Sequence, residues 1–216
     1  LRAQDADATI GRKIGLTSPG MQRQMGVDEP DFGDLWASRQ VMAHDNEAEV
    51  AYDTFVQPRI EGELAFLMRT DLVGPGVTEQ QVQEATAAVA PAIEIIDSRI
   101  ADWRIRLVDT VADNASFGGF VVGGWREDLA SADLVSLAME VRRNGGRVVG
   151  ETGAAVLGSP RRAVAWLADK LASFGVTIRA GDVVLSGSFG ASVEAAPGDR
   201  HEVVVAGCDP LGVTFR

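Results

Sequence analysis

The chain of 216 residues is long enough to bury one sizeable hydrophobic core, and its composition is that of an ordinary globular protein. Its net charge of −11 disfavours nucleic acid and anionic membranes as partners, because neither offers an opposite charge. A single cysteine, Cys208, excludes a disulfide framework and a cysteine-built metal site. No apolar run approaches the roughly 20 residues of a membrane span and no signal peptide opens the chain, so we expect a cytoplasmic protein.

The first half of the chain predicts one long strand and one helix. Residues 1–50 are rich in Gly, Asp, Met and Gln, and we predict irregular structure for them. Over residues 56–68, side chains alternate with a period of two, which is typical of a β-strand. A capping-box pattern at Thr78 precedes an alanine-rich run and predicts a helix over 78–90, which Pro91 would end.

The second half predicts mainly strands. The β-branched segment 92–97 is strand-like, and Asn144-Gly145-Gly146 predicts a hairpin turn. Apolar residues follow one stripe over 161–174, which predicts a helix that stops at Gly175. Further short strands are predicted over residues 120–122, 183–186, 202–206 and 213–215.

Strands outnumber helices, and no regular alternation of strand and helix occurs, so a doubly wound sheet is not expected. The pattern favours an α+β fold: a mixed, strongly curled β-sheet roll with a barrel-like core and a few flanking helices. No change of composition marks a domain boundary, so we predict a single catalytic domain over residues 1–216.

The common catalytic signatures are absent from the sequence. Neither a phosphate-binding P-loop, a dinucleotide-binding glycine motif, a zinc-protease motif nor a nucleophile elbow is present. The two histidines, His44 and His201, formally allow a Ser–His–Asp triad, but no spacing supports one. We predict that both lie on the surface.

A pair of carboxylates is the most informative feature. Glu61 and Glu63 lie two apart in the predicted strand, so both side chains project from the same face about 7 Å apart. Glu94 lies among branched apolar residues, where an unpaired charge would be costly to bury. A hard divalent cation such as Mg²⁺, Mn²⁺ or Ca²⁺ would satisfy such carboxylates. The alternative is that all three are exposed on an open sheet face.

Several runs together resemble the fumarylacetoacetate hydrolase superfamily, and within it the 2-keto-4-pentenoate hydratase and 4-oxalocrotonate decarboxylase branch. The resemblance covers essentially the whole chain in the expected order, although the N-terminal helical portion of that family is expected to be absent here. The runs that carry it are GRKIGLT (11–17), PDFG (30–33), QPRIEGE (57–63), PAIE (91–94), VDTVADNAS (108–116) and LSGSFG (185–190).

The resemblance implies a set of site residues. It implies that Mg²⁺ or Mn²⁺ is held by Glu61, Glu63 and Glu94, and that Lys13 and Asp31 are catalytic. It also implies that further residues line the substrate pocket; these are Leu16, Ser116, Gly187 and Ser188. Taken without the resemblance, Lys13 could simply be solvated, Asp31 could cap a turn, and Ser116 could bond only to its own loop. The four tryptophans are interpreted as packing residues.

Hydratases and decarboxylases of this branch share the implied metal site, so the site alone cannot separate them. The stretches 99–110 and 185–190 look more like hydratases, which implies addition of water to a small anionic 2-hydroxy-2,4-dienoate in the catabolism of aromatic compounds. The alternatives are a Mg²⁺-dependent 4-oxalocrotonate decarboxylase and a non-catalytic subunit of a hydratase–decarboxylase assembly. The resemblance also implies a homo-oligomer, with a downstream aldolase or a decarboxylase as its partner.

Overall fold

The computed structural model describes residues 7–18, 22 and 29–216, which form two β-sheets with helices packed against them. The α-helices of this part of the chain are α1 (Glu79–Ala85), α2 (Leu107–Ala112) and α3 (Pro160–Ala172), and none of them is long and apolar enough to cross a membrane. The strands are β1 (Thr9–Gly15), β2 (Asp31–Trp36), β3 (Gln40–Val41), β4 (Glu47–Val50), β5 (Pro58–Met68), β6 (Thr86–Asp97), β7 (Phe117–Val122), β8 (Ala138–Arg143), β9 (Gly146–Thr152), β10 (Val183–Leu185), β11 (Val193–Glu194), β12 (Arg200–Val205) and β13 (Leu211–Phe215).

The larger sheet has the strand order β2-β1-β10-β5-β6-β7-β3, with β11 paired to β5 as its eighth strand. Two of its pairings, β1 with β10 and β3 with β7, are parallel, and the others are antiparallel. The smaller sheet has the order β4-β13-β12-β8-β9. The prediction of a mixed, curled sheet with few helices is confirmed.

The long antiparallel strand pair of β5 and β6, near the centre of the larger sheet, is buried on both faces. One face carries Leu64 and Phe66 and belongs to the main hydrophobic core, which also contains residues of the smaller sheet and of α3. The other face carries Ala65 and Ala92, which belong to a smaller apolar cluster with Phe120 and Leu185. The functional side chains lie on this second face, and their surroundings are therefore largely apolar.

The helix predicted over 78–90 is too long. The capping box at Thr78 is present, but α1 ends at Ala85 and β6 begins at Thr86, with Pro91 inside the strand. Residues 86–90 pair with β5 and are almost entirely buried. The long-range pairing and burial outweigh the helix preference of alanine, which amounts to less than about 1 kcal/mol per residue.

The irregular structure predicted for residues 1–50 is also wrong, because β1, β2, β3 and β4 lie there. A Cβ atom on Gly11 would clash with the carbonyl oxygen of Val183 in the neighbouring strand. The glycine in this segment therefore permits a close strand contact, and does not mark a loop. Residues 1–6 and most of 19–28 lie outside the described part of the chain.

The hairpin around Asn144, the helix near residues 161–174 and the closing strands are confirmed within one to three residues. The prediction for the histidines is only half right. His44 is exposed, but His201 is fully buried in β12, with its ring packed edge-on against Phe215 at a centroid distance of 5.9 Å. An alternation of apolar and polar residues does not reveal which polar side chain is turned into the core.

Candidate active site

Three glutamates lie close together on the β5–β6 strand pair, on the face that carries Ala65 and Ala92. Glu61 lies directly opposite Glu94 in the antiparallel register, so the two side chains project from the same face. Glu63 follows two residues along β5 on that face. One carboxylate oxygen of each residue lies within 4.8 Å of the others, and all three side chains are buried. The alternative of exposed carboxylates on an open sheet is excluded.

Burial and mutual repulsion raise the pKa values of these carboxylates. Burial, followed by the charge of Glu94, raises the pKa of Glu61 to about 8. The pKa of Glu63 is raised well above its usual range, first by burial and then by the charges of Glu94 and Glu61. Burial also raises the pKa of Glu94. The cluster is therefore stable only with protons or a cation among its oxygens.

The hydrogen bonds leave oxygens of this cluster available to a ligand. The amide of Gly187 donates to Glu63 Oε2 at 2.8 Å, which orients that carboxylate. Glu63 Oε1 and Glu94 Oε2 are buried and make no hydrogen bond to the described residues. Buried oxygens without a donor are costly, and three close carboxylates are a donor set that suits a hard divalent cation. The residues present thus fit such an ion.

Lys13 is held beside the carboxylates by two contacts. Its Nζ lies 3.0 Å from Glu94 Oε1 and donates a hydrogen bond to the carbonyl oxygen of Ala115 at 2.9 Å. Burial alone would lower the pKa of Lys13, but the surrounding carboxylates, Glu94 above all, raise it overall. The ammonium group is therefore charged at neutral pH. The solvated state considered for this lysine is wrong, since its side chain is only 2% exposed.

A left-handed turn brings two polar groups to Lys13. Asn114, Ala115 and Ser116 have φ angles of 51°, 53° and 55°, a conformation that non-glycine residues rarely adopt in succession. The turn presents the Ala115 carbonyl to Lys13 and buries the Ser116 hydroxyl, whose oxygen makes no hydrogen bond to the described residues. Backbone strain of this kind is often found where a fold positions functional groups.

Asp31 completes the polar part of the site. It lies at the start of β2, directly opposite Gly15 at the end of β1. A Cβ atom on Gly15 would clash with Asp31 Oδ1, so the absence of a side chain there lets the carboxylate lie over the β1 backbone. Asp31 is buried, and its Oδ1 makes no hydrogen bond to the described residues. The carboxylate is thus available to a ligand.

These groups open into a cavity of about 60 Å³. Of the residues predicted to bind substrate, Leu16 and Ser116 lie on its wall, whereas Gly187 and Ser188 do not. Gly187 instead supports Glu63, and the Ser188 hydroxyl donates to the Gly190 carbonyl. The full lining consists of Lys13, Gly15, Leu16, Asp31, Glu61, Ile96, Trp103, Ile105, Thr110, Ala115 and Ser116.

Apart from Leu16, the apolar wall of this cavity is not predicted from the sequence. Trp103 was interpreted as a packing residue, yet its side chain lines the cavity together with Ile96 and Ile105. No periodicity distinguishes these positions. The only signal in the sequence was the resemblance of the segment 99–110 to hydratases, which concerned the segment as a whole.

The curled mixed sheet and its buried carboxylate cluster define the class of protein. The chain belongs to the fumarylacetoacetate (FAA) hydrolase C-terminal family, which matches residues 14–216. The resemblance found from the sequence motifs is thereby confirmed.

Within this family the chain is similar to hydratases. It is 46% identical to a 2-hydroxyhexa-2,4-dienoate hydratase of Comamonas testosteroni, over 100% of this chain and 81% of the relative. It is 42% identical to a 2-keto-4-pentenoate hydratase of Burkholderia vietnamiensis, with the same coverage. Among solved structures, a 4-oxalocrotonate decarboxylase from Pseudomonas putida G7, complexed with magnesium and adipate, superposes with a TM-score of 0.92 at 35% identity, over 98% of this chain and 79% of that one.

Proposed function

We propose that this protein is a hydratase that adds water to a 2-hydroxy-2,4-dienoate and yields a 4-hydroxy-2-oxo acid. The observation that carries the proposal is the buried cluster of Glu61, Glu63 and Glu94 with Lys13 beside it, facing a small cavity. The hydratases at 42–46% identity support this reaction over decarboxylation. A decarboxylase remains the second candidate because a solved decarboxylase of 35% identity shares the fold closely.

The three glutamates would hold a divalent cation, Mg²⁺ or Mn²⁺. When bound, the cation would supply positive charge to the carboxylate and the adjacent oxygen of the substrate. Glu61 and Glu94 contribute from neighbouring strands, and the Gly187 amide keeps Glu63 oriented. The apolar cluster on the same face of these strands, which contains Ala65 and Ala92, borders the glutamates and disfavours water there.

Lys13 stabilises negative charge that grows on the substrate. In the reaction, the dienol proton at C2 is lost and C5 is protonated, which moves the double bond into conjugation with the new C2 carbonyl. Water then adds across the C3–C4 double bond: its oxygen bonds to C4, one of its protons is released, and a proton is taken up at C3. Electrons accumulate on the C2 oxygen at each stage, and a fixed ammonium group near that oxygen lowers the barrier without reorganisation of solvent.

Asp31 and Ser116 handle the protons and the orientation of the substrate. The Asp31 carboxylate lines the cavity with a free oxygen, and it accepts the proton from the C2 hydroxyl or delivers one to carbon. The Ser116 hydroxyl has no other partner among the described residues, and it donates a hydrogen bond to a substrate oxygen.

A direct assay tests the proposal. Purified protein is incubated with 2-hydroxypenta-2,4-dienoate, with and without Mg²⁺, and loss of the dienoate is followed together with formation of 4-hydroxy-2-oxopentanoate. A parallel incubation with 4-oxalocrotonate measures release of CO₂. We expect metal-dependent hydration and little decarboxylation. Release of CO₂ without hydration would support the decarboxylase, and absence of both reactions would favour a non-catalytic subunit.

A further inference from the structure

Two chemically different sets of residues line the cavity. Lys13, Asp31 and Glu61 are charged, whereas most of the other side chains of the wall are apolar. The apolar set consists of Leu16, Ile96, Trp103 and Ile105. A substrate whose carboxylate and C2 oxygen lie among the charged groups must place the rest of its carbon chain against this apolar set.

Two contacts fix the position of Trp103 in this apolar set. Its indole N–H donates to the carbonyl oxygen of Gln57 at 3.2 Å, and the guanidinium carbon of Arg59 lies 4.8 Å from its ring centroid. The Gln57 side-chain amide also donates to the carbonyl oxygens of Ser98 and Ile100, at 2.8 and 2.5 Å. The loop that carries Trp103 and Ile105 is thus fastened to the start of β5, which lends its wall a defined shape.

Within the described part of the chain, the apolar residues of the cavity wall offer no positive charge to a second carboxylate. Lys13 is the only cationic side chain on the cavity wall among the described residues, and in the proposed reaction it serves the C2 oxygen of the substrate. Arg59 lines the neighbouring cleft and pairs with Glu194 at 3.3 Å. An anionic tail against Ile96 and Ile105 would therefore lose its hydration without gaining a counter-charge.

We infer that Trp103 and Ile105, together with Ile96, are the specificity-determining residues for the substrate tail, and that they select an uncharged alkyl tail over a carboxylate. The inference rests on the proposed function, because it places the 2-oxo-acid end of the ligand among Lys13 and the carboxylates. Ile105 is the most informative position, since it is half-buried at the wall and belongs to the loop fastened by Gln57.

A matched pair of ligands tests this selection. 2-Oxopentanoate and 2-oxoglutarate have the same chain length and differ only in a methyl group or a carboxylate at the tail. Their affinities for the purified protein are measured by calorimetry in saturating Mg²⁺. We expect 2-oxopentanoate to bind at least about tenfold more tightly, because the carboxylate would be desolvated without a partner. Ile105→Lys should bring the two affinities together or reverse their order.

Val108→Lys is the control, because it adds the same charge at a residue that is 66% exposed, near this loop but not on the cavity wall. It should leave the preference unchanged. Equal or tighter binding of 2-oxoglutarate by the unmodified protein would overturn the inference while leaving the proposed function in place. A shift of the preference in Val108→Lys as large as that in Ile105→Lys would also overturn the inference. If neither acid binds, the 2-oxo-acid end is not held among Lys13 and the carboxylates and the inference is overturned, whereas the dienoate assay decides the proposed function separately.

Discussion

Lys13 Nζ and Glu94 Oε1 lie 3.0 Å apart, although two strands of the sheet separate their backbones. Lys13 is on β1 and Glu94 on β6, with β10 and β5 between them. On a flat sheet such strands would be about 14 Å apart, since neighbours are spaced by about 4.8 Å. The curl of the sheet shortens this span, and the ion pair ties the two sides of the curl together at the site.

Replacement of Lys13 by Met should separate charge stabilisation from metal binding. We expect kcat/KM to fall by roughly 10²–10³, as when one electrostatic stabiliser is removed from an active site. Mg²⁺ should bind at least as tightly as before, because a neighbouring positive charge is lost. Steady-state kinetics and calorimetric titration with Mg²⁺ check both parts. Wild-type kinetics at saturating metal would show that the lysine has no role in turnover.

Replacement of Glu63 by Gln should weaken the cation site without unfolding the protein. The amide oxygen can still accept the hydrogen bond of Gly187, but a neutral amide is a poorer ligand for a hard cation. We expect activity to fall by at least about 10²-fold and the Mg²⁺-dependent rise in melting temperature to disappear. The exposed Glu127→Gln serves as the control. Retention of full Mg²⁺-dependent activity in Glu63→Gln would refute the ligand assignment.

Replacement of Gly15 by Ala should act through Asp31. The new methyl group would clash with Asp31 Oδ1 and displace the carboxylate from the cavity. We expect kcat/KM to fall by roughly tenfold or more, with a stability loss of about 1–3 kcal/mol from overpacking. Gly124→Ala is a matched control, because its methyl group would meet no atom within 4 Å. Kinetics and thermal melts decide, and equal behaviour of the two variants would contradict the role given to Asp31.

His201 should make the folded protein sensitive to acid. Burial lowers its pKa below the ordinary value of 6.5, against the opposing charge of Asp199, so the unfolded chain binds a proton more readily than the folded one. With respect to this group, the free energy of unfolding is therefore at its maximum above about pH 6.5, where His201 is neutral in both states. It falls as the pH falls towards the lower pKa of His201 in the folded state. The loss is at most about 1.4 kcal/mol per pH unit from this one group.

Urea unfolding at several pH values measures this dependence. His201→Phe should flatten the decline of stability below pH 6.5, because phenylalanine keeps the ring contact with Phe215 and cannot take up a proton. The same substitution at the exposed His44 should leave the decline unchanged. If His201→Phe shows the decline of the unmodified protein, another group is responsible.

The carboxylates of the site could be predicted from the sequence, whereas most of the apolar wall, Leu16 apart, could not. The spacing of Glu61 and Glu63 in an alternating strand places both on one face whatever the partner strands are. Their approach to Glu94 depends on the register of β5 with β6, which local sequence does not encode. Trp103 and Ile105 reach the cavity because an irregular loop is fastened by Gln57, and such side chain–backbone hydrogen bonds follow no periodicity.

The fold errors have a common physical cause. Local preference predicted a helix through Ala90, but pairing with β5 decided the structure of residues 86–90. Strands β1 to β4 are not predicted from the sequence because their stability comes from distant partners. The amphipathic helix α3 and the Asn144 turn were predicted correctly, since both depend on contacts within a few residues along the chain.

The pairing of β1 with β10 joins Arg12 and Lys13 to Val184 and Leu185, more than 170 positions later in the chain. During synthesis on the ribosome, the strand that carries Lys13 can therefore pair with β10 only after most of the chain has been made. Gly187, which orients Glu63, emerges at the same late stage. Fragments that stop before β10 should be able to pair β5 with β6 but should lack a complete site. A prematurely terminated chain would therefore be inactive even where its core has begun to pack.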